Sequence, residues 1–267
     1  MKIIVLMGSP RKKDSFALVK RIEEKIQARE DSSFEYLILR NENIEDCRGC
    51  DQCFRKGEGF CPIRDGLNDL RKKIEDADGV IFACPVYAHQ VTAPMKKFID
   101  RLSWYFHRPV LFGKFSMIVV TTASTGLHGV IDYLKLVVKG WGLRLVGCIG
   151  VNSSWYFDGK RDFSPDYNAK INRKIDKAVS LIMSAKTGKK KASPDFFSLA
   201  MFLAMREKAK NLECDRLFWE SHGWFKTRYY YDISLSLPKL AVYKVIQYLA
   251  IPFMFRKPKS AGLRTDN

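Results

Sequence analysis

The segment Lys2–Ser15, KIIVLMGSPRKKDS, joins a continuous apolar run to a polar turn. An apolar run without polar alternation is typical of a strand that is buried on both faces of a parallel sheet. Apolar residues then recur at helical spacing between Ser15 and Arg29, namely Phe16, Leu18, Val19, Ile22 and Ile26. A buried strand that runs directly into an amphipathic helix is the first half of a β-α-β unit, so this segment predicts an α/β fold.

The same alternation continues to about residue 185. Further strands are predicted at Phe34–Leu39, Asp78–Pro85, Phe115–Thr122 and Arg144–Val151, with helices at Leu67–Asp76, Thr92–Phe106, Gly129–Lys139 and Tyr167–Ala185. Parallel strands joined by helices require right-handed crossovers and place helices on both faces of the sheet. The sequence therefore predicts a doubly wound, five-stranded parallel sheet of flavodoxin-like size, with strand order 2-1-3-4-5.

The composition changes at Lys186–Pro194, KTGKKKASP, which is basic and rich in residues that favour linkers. We therefore expect an α/β domain at 1–185, a basic linker at 186–194 and a helical, aromatic-rich basic extension at 195–267. Within the extension, Phe196–Leu212 and Leu237–Ile251 are predicted helices, and Cys214–Tyr231 is dense in aromatic residues.

The turn after the first strand is a candidate anion site. Ligands of open α/β sheets bind at the carboxyl ends of the strands, and a helix N-terminus offers free N–H groups to a phosphate. Ser9 and Ser15 add hydroxyl donors, and Arg11 adds a charged one. The turn matches neither the nucleotide-triphosphate loop nor the dinucleotide fingerprint. Two interpretations stay open at this point: a phosphate site, or a polar turn in which Asp14 or Ser15 caps the helix.

The turn GSPRKKDS, taken with ACPVYAHQVTAPMKKFIDRL at Ala83–Leu102, resembles the NAD(P)H-dependent FMN reductase and iron–sulfur flavoprotein family of flavodoxin-like proteins. The resemblance covers Met1 to about Ala185, and it implies that three loops bind FMN. The implied residues are Ser9, Arg11, Ser15 and Phe16 at the phosphate, Pro85, Val86, Tyr87, Ala88 and His89 along the isoalloxazine ring, and Thr122, Ala123, Ser124, Thr125 and Gly126 in the third loop. In one departure, Asp14 stands where the family commonly has Asn, and a carboxylate beside a phosphate is unfavourable unless nearby cations offset it.

Four cysteines, Cys47, Cys50, Cys53 and Cys61, have the spacing C-x2-C-x2-C-x7-C. Steps of C-x2-C allow thiolates of one tight loop to face a common centre, as iron–sulfur clusters and zinc require. The compact spacing favours a [4Fe–4S] cluster over zinc, which more often uses two separated C-x2-C pairs. The resemblance points to the same cluster, although related flavin reductases also keep such cysteines without a metal.

These patterns predict an FMN-dependent oxidoreductase. Electrons would come from NAD(P)H or a reduced redox protein and pass through FMN, with the cluster as a one-electron port to an acceptor such as a ferredoxin-like protein. No catalytic acid–base pair of the hydrolase kind is expected. Two alternatives from other classes are an FMN-binding electron carrier without a small-molecule substrate, and a membrane-surface adaptor on a flavodoxin-like fold.

The chain contains 46 Lys and Arg against 29 Asp and Glu, a formal net charge of +17. Such an excess implies an acidic partner. Seven cysteines and an opening that does not resemble a signal peptide lead us to expect a cytoplasmic protein. For the extension we favour packing on the flavin domain or on a second subunit, so a homo-oligomer is expected. A peripheral membrane contact comes next, and nucleic acid is disfavoured because no binding motif is present.

Overall fold

The computed structural model describes residues 1–153, 164–186 and 194–254. Five parallel strands form one sheet in the order β2-β1-β3-β4-β5, which confirms the predicted fold class and strand order. The strands are β1 (Lys2–Met7), β2 (Ser33–Ile38), β3 (Gly79–Pro85), β4 (Phe115–Thr122) and β5 (Arg144–Asn152). The four later strands begin and end within one residue of the predicted bounds.

Helices cover both faces of this sheet. The helices of this part of the chain are α1 (Asp14–Gln27), α2 (Gln52–Arg55), α3 (Leu67–Glu75), α4 (Ala93–Arg101), α5 (Leu127–Gly140) and α6 (Pro165–Lys186). Apolar residues of α1 and α6 form the core on one face, and those of α3, α4 and α5 form the core on the other. Residues 45–65, here called the cysteine segment, contain two features that were not predicted: helix α2 and a 3-10 turn at Glu58–Phe60.

The apolar run of β1 divides its side chains between the two cores. Ile3, Val5 and Met7 pack with α1 and α6, whereas Ile4 and Leu6 pack with α3, α4 and α5. All five side chains are at most 1% exposed. The strand is therefore apolar throughout because each face meets a helical layer.

The second core is centred on Trp141, which directly follows α5 and is fully buried. The rings of Phe82, Phe98 and Tyr105 surround it at centroid distances of 6.0, 6.0 and 5.2 Å. Phe98 and Tyr105 meet it edge-on, the arrangement that aromatic pairs prefer. This cluster joins β3, α4 and α5, and so it fixes the helices that flank the carboxyl edge of the sheet.

The chain divides into two compact units, residues 1–191 and 192–267. The second unit contains α7 (Phe196–Ala209), α8 (Glu213–Ser221), α9 (Leu237–Val245) and α10 (Ile251–Met254), with a π-helical turn at Ile246–Ala250 between the last two. Its core packs Phe202 against the rings of Trp219, Tyr229 and Tyr230. Residues 187–193 of the predicted linker lie outside the described part of the chain, so the predicted domain bounds stay a prediction.

Candidate functional site

The loop after β1 is bound directly to the loop after β3. The hydroxyl of Thr92, which is 1% exposed, donates a hydrogen bond of 2.8 Å to the carbonyl oxygen of Gly8. A Cβ atom at Gly8 would lie 3.0 Å from both Cys84 Sγ and Thr92 Oγ1, so a larger residue would press on both side chains. The two loops are consequently held side by side at the carboxyl edge of the sheet.

A cavity opens at this edge, and its empty volume of about 530 Å³ includes space that is open to solvent. The cavity brings together eight of the predicted site residues: Ser9, Arg11, Ser15, Pro85, Val86, Tyr87, Thr122 and Ala123. Four further lining residues were not among the predicted ones: Lys13, Asp14, Thr121 and Ser153. The loops that follow β1, β3, β4 and β5 thus converge on one crevice.

One end of the crevice is suited to an anion. Helix α1 begins there at Asp14, and no described side chain caps its first N–H groups, which leaves them and the positive end of the helix dipole to a ligand. Arg11 and Lys13 line the same end. The Ser15 hydroxyl is buried and lies 2.7 Å from Thr121 Oγ1, which fixes its position.

Asp14 is the exception at this end. Its Oδ1 atom is buried and has no hydrogen-bond partner among the described residues. A carboxylate in the first helical turn interacts favourably with the positive end of the helix dipole, but it also repels a second negative charge in the crevice. Asp14, the residue at which the sequence departs from the common family pattern, therefore lies in the cavity wall.

The loop after β3 forms a tight two-residue turn. The backbone N–H groups of Tyr87 and Gln90 each donate to the other residue's carbonyl at 2.9 Å, and Ala88 and His89 between them have φ of 47° and 61°. Such turns normally use Asn or Gly, because other side chains are strained in the left-handed region. Strain of this kind is concentrated at ligand sites. From across the crevice, Arg11 Nη2 donates to Tyr87 Oη at 3.3 Å.

The loop after β4 lies against this turn. A Cβ atom at Gly126, where φ is 88°, would lie 2.8 Å from Val86 Cγ1. Thr125 Oγ1 is 3.4 Å from His89 Nε2, and Thr122 Oγ1 donates to the carbonyl of Thr125 at 2.7 Å. The two loops therefore form one continuous wall.

Six of the predicted site residues do not line the cavity: Phe16, Ala88, His89, Ser124, Thr125 and Gly126. Five of them belong to the two abutting loops just described. Phe16 instead packs against the ring of Tyr36 at 5.1 Å, with Lys12 and Lys20 over its own ring. Its predicted role at the phosphate stays a prediction.

Sequence reasoning missed Thr92 and Ser153, and only Ser153 left a usable signal. Ser153 directly follows β5, where a polar residue is expected to reach the ligand edge, and its N–H donates to the Thr122 carbonyl at 2.6 Å. Thr92 acts through a buried contact with Gly8, a residue distant in the sequence, and no local pattern indicates such a contact.

The cysteine segment is fixed by two buried arginines. Arg101 binds both oxygens of Asp65, at 2.5 and 3.2 Å, and donates to the Glu45 carbonyl at 2.8 Å, so it joins the two ends of the segment. Arg108 donates to the Cys53 carbonyl at 2.6 Å and lies over the ring of Trp104. A buried ion pair with two hydrogen bonds fixes the positions of both side chains, although its net contribution to the free energy of folding is small.

The four predicted thiol ligands lie in this segment. Cys47 and Cys50 are exposed, whereas Cys53 and Cys61 are half-buried and line a second cavity of about 390 Å³ with Arg64, Arg71 and Arg101. Burial, and then the charges of Cys47 and Cys61, raise the pKa of Cys53 to about 11. Within the described ranges, no three His, Cys, Asp or Glu side chains are arranged to hold a metal ion. Four thiols that are close in the sequence, with arginines nearby, are nevertheless a donor set whose chemistry suits an anionic cluster.

The family model of NADPH-dependent FMN reductases matches residues 1–161 of this chain. The chain belongs to the NADPH-dependent FMN reductase family. The matched residues contain all the cavity-lining loops and the four cysteines of the segment. Membership in this family accounts for the parallel sheet and for the position of the crevice at its carboxyl edge.

Similar proteins include two that are named iron–sulfur flavoproteins. One, from Archaeoglobus fulgidus, is 39% identical over 150 residues, 55% of this chain and 66% of that protein. Another, from Methanocaldococcus jannaschii, is 38% identical over 101 residues, 38% of this chain and 51% of that protein. The chain thus spans slightly less than two thirds of the first relative and about half of the second.

Among solved structures, RosB with a bound intermediate, 8-demethyl-8-formylriboflavin-5'-phosphate, matches with a TM-score of 0.57 and 14% sequence identity. The match covers 89% of this chain and 92% of that one. At this identity the likeness shows a shared fold.

Asp65→Asn should destabilise the protein by about 3 kcal/mol at pH 7, because it leaves the Arg101 guanidinium buried without an anion. Burial raises the pKa of the Asp65 carboxyl, but hydrogen bonds from Arg101 and from the N–H groups of Glu45 and Leu67 lower it overall. A lowered carboxyl pKa stabilises the fold above about pH 4, and this contribution is lost as the pH falls through the folded-state pKa. Urea unfolding should therefore show a smaller difference at about pH 3.

The matched control for this measurement is Asp132→Asn. Asp132 pairs with Lys135 on the surface, where its side chain is 68% exposed, so this variant should unfold like the wild type. An equal effect of the two substitutions would contradict the proposed importance of the buried pair.

Proposed function

We propose that this protein is an FMN-dependent oxidoreductase that passes electrons from NAD(P)H or a reduced redox protein, through FMN, to an acceptor. The observation that carries the proposal is the convergence of the loops after β1, β3 and β4 on one cavity. One end of that cavity is cationic and lies at a helix N-terminus, and the other is bounded by a strained turn that contains Tyr87. Family membership supports the same cofactor.

At the cationic end, Ser9, Arg11 and Ser15 would bind the FMN phosphate, with Phe16 beside them. The free N–H groups of α1 fit a phosphate, and the contact between Ser15 and Thr121 holds one hydroxyl donor in place before the ligand arrives. Lys13 lines the same end and offsets the charge of Asp14. The residues present therefore fit the phosphate group.

Along the flavin ring, Pro85, Val86, Tyr87, Ala88 and His89 would form one wall, continued by Thr122, Ala123, Ser124, Thr125 and Gly126. Bound FMN supplies the chemistry that connects two-electron donors with one-electron acceptors. The chain's own groups orient and shield the ring: the 3.4 Å contact between His89 and Thr125 fixes the imidazole, and Arg11 fixes the Tyr87 hydroxyl.

The phosphate assignment predicts that FMN binds at least about tenfold more tightly than riboflavin, because a charge-assisted phosphate contact is lost with riboflavin. Asp14→Asn should tighten FMN binding further, since it removes a negative charge beside the phosphate, and should leave riboflavin binding unchanged. Fluorescence titration of both ligands measures the two effects. Equal affinity for FMN and riboflavin would contradict the assignment.

The proposed activity predicts that NADH or NADPH reduces the FMN-loaded protein without a further protein partner. Anaerobic mixing, followed through the flavin absorbance, is the test. If neither nucleotide reduces the flavin while a reduced ferredoxin-like protein does, the protein is an electron carrier without a small-molecule substrate. The net charge of +17 suits an acidic redox partner of that kind.

We propose further that Cys47, Cys50, Cys53 and Cys61 hold a [4Fe–4S] cluster, as their spacing indicates. The names of the two archaeal relatives support it. When bound, such a cluster would supply one-electron exchange. Arg101 and Arg108 would hold the loop that carries the thiols, and Arg64 and Arg71 would offset the cluster's negative charge. All seven cysteines are free thiols, which favours a reducing compartment such as the cytoplasm. A homo-oligomer stays a prediction.

Protein purified without oxygen should accordingly contain about four irons and four sulfides per chain. Cys50→Ala should remove the iron and leave FMN affinity unchanged, because the cavity that would hold FMN is lined by other loops. Cys148→Ala is the matched control, since Cys148 is a partly exposed thiol on β5 that lies outside both the cysteine segment and the cavity lining. Zinc, or full NAD(P)H oxidation by anaerobic protein that holds no metal, would contradict the cluster.

A further inference from the structure

Residues 237–254 form one continuous helical run through α9, the π-helical turn and α10, here called the C-terminal helical run. Several of its large apolar side chains are exposed, and those on α9 fall within about 140° of the helix circumference at 3.6 residues per turn. The exposed side chains are Leu237, Val242, Val245, Tyr248, Leu249 and Phe253, each between 38% and 83% exposed, and we call them the apolar face. Single exposed apolar residues are ordinary, but six of them on one short helical run mark an interaction surface.

The opposite side of the run is anchored in the second unit. Tyr243 and Ile251 are 4% and 6% exposed, and α9 and α10 both pack against α7. Lys239 Nζ also donates to the Pro194 carbonyl at 3.0 Å. The run is therefore a folded element with its polar backbone satisfied, and the apolar face points away from the residues that hold it.

The charged residues in this part of the sequence have one sign. From Ile233 to Thr265 the sequence contains six Lys or Arg and no Asp or Glu. Two of the six, Lys239 and Lys244, lie within the run, and at 3.6 residues per turn they fall on the two margins of the face that α9 presents. An apolar face with cationic margins and an aromatic residue such as Tyr248 is typical of a helix that lies in a membrane interface.

The charges of the run also distinguish between possible partners of the apolar face. A second copy seated on the same face would bring lysines against lysines, which is unfavourable. Among the described residues, moreover, no helix is long and apolar enough to span a bilayer. We propose that the apolar face binds the surface of a bilayer that contains anionic lipids, with its apolar side chains below the headgroups and the exposed Lys244 at their level.

The test is sedimentation of the purified full chain with vesicles of phosphatidylcholine, with and without about one third phosphatidylglycerol. Binding should be stronger to the anionic vesicles and should weaken at high salt, because the lysine contribution is screened. The double substitution Leu249→Asp/Phe253→Asp should lower vesicle binding at least about tenfold, since it removes two apolar anchors. Leu217→Asp is the matched control: Leu217 is 52% exposed in the same unit but lies on α8, so binding should persist.

Circular dichroism and thermal unfolding show whether each variant is folded. Lys244→Glu, which should weaken binding to anionic vesicles alone, is a second variant in case the double one does not fold. Absence of binding to anionic vesicles, or equal loss in the Leu217 control, would overturn the proposal. The proposal would also be overturned if the wild type is an oligomer that does not bind vesicles and if Leu249→Asp/Phe253→Asp dissociates that oligomer, since a second copy would then cover the face. If the wild type does not bind FMN, the proposed function is contradicted, but the vesicle-binding result still stands.

Discussion

Burial of both faces of the parallel sheet is the constraint on which the rest of the structure depends. The side chains of β1 alternate between two cores, so each core needs its own layer of helices, and every strand must return by a crossover. The crossovers send the loops after β1, β3 and β4 to one edge of the sheet. The crevice is thus a consequence of how the strands are covered, and the residue types in the loops determine what it binds.

The loops hold their positions through a few buried or strained contacts. Thr92 ties the β3 loop to Gly8, and the turn at Ala88 and His89 keeps a left-handed backbone without glycine. Strain of this kind persists only where the surroundings impose it. Here Val86 and His89 lie against Gly126, so the β4 loop imposes the conformation from the other side. The crevice is shaped before any ligand arrives, which lowers the entropic cost of binding.

The sequence predicted the sheet closely because continuous apolar runs and helical spacing are local signals. It also indicated the three loops that meet at the crevice. It did not indicate Thr92, whose role depends on a contact with a distant loop, or α8, where dense aromatic residues hide the helical period. Nor does any local pattern indicate that Arg101 pairs with the buried Asp65, which lies 36 residues earlier in the chain. Long-range pairing of this type leaves no periodic trace.

The closure made by Arg101 has a consequence for how the cysteine segment behaves. One guanidinium holds both Glu45 and Asp65, so the intervening chain forms a loop whose base is pinned to α4. Within such a loop the thiols can rearrange, or the loop can open locally, without a change in the strands. Should the thiols hold the proposed cluster, its assembly would not require a change in the crevice, because the residues that line the crevice belong to other loops. One polypeptide could then lose or regain the cluster while the crevice keeps its shape.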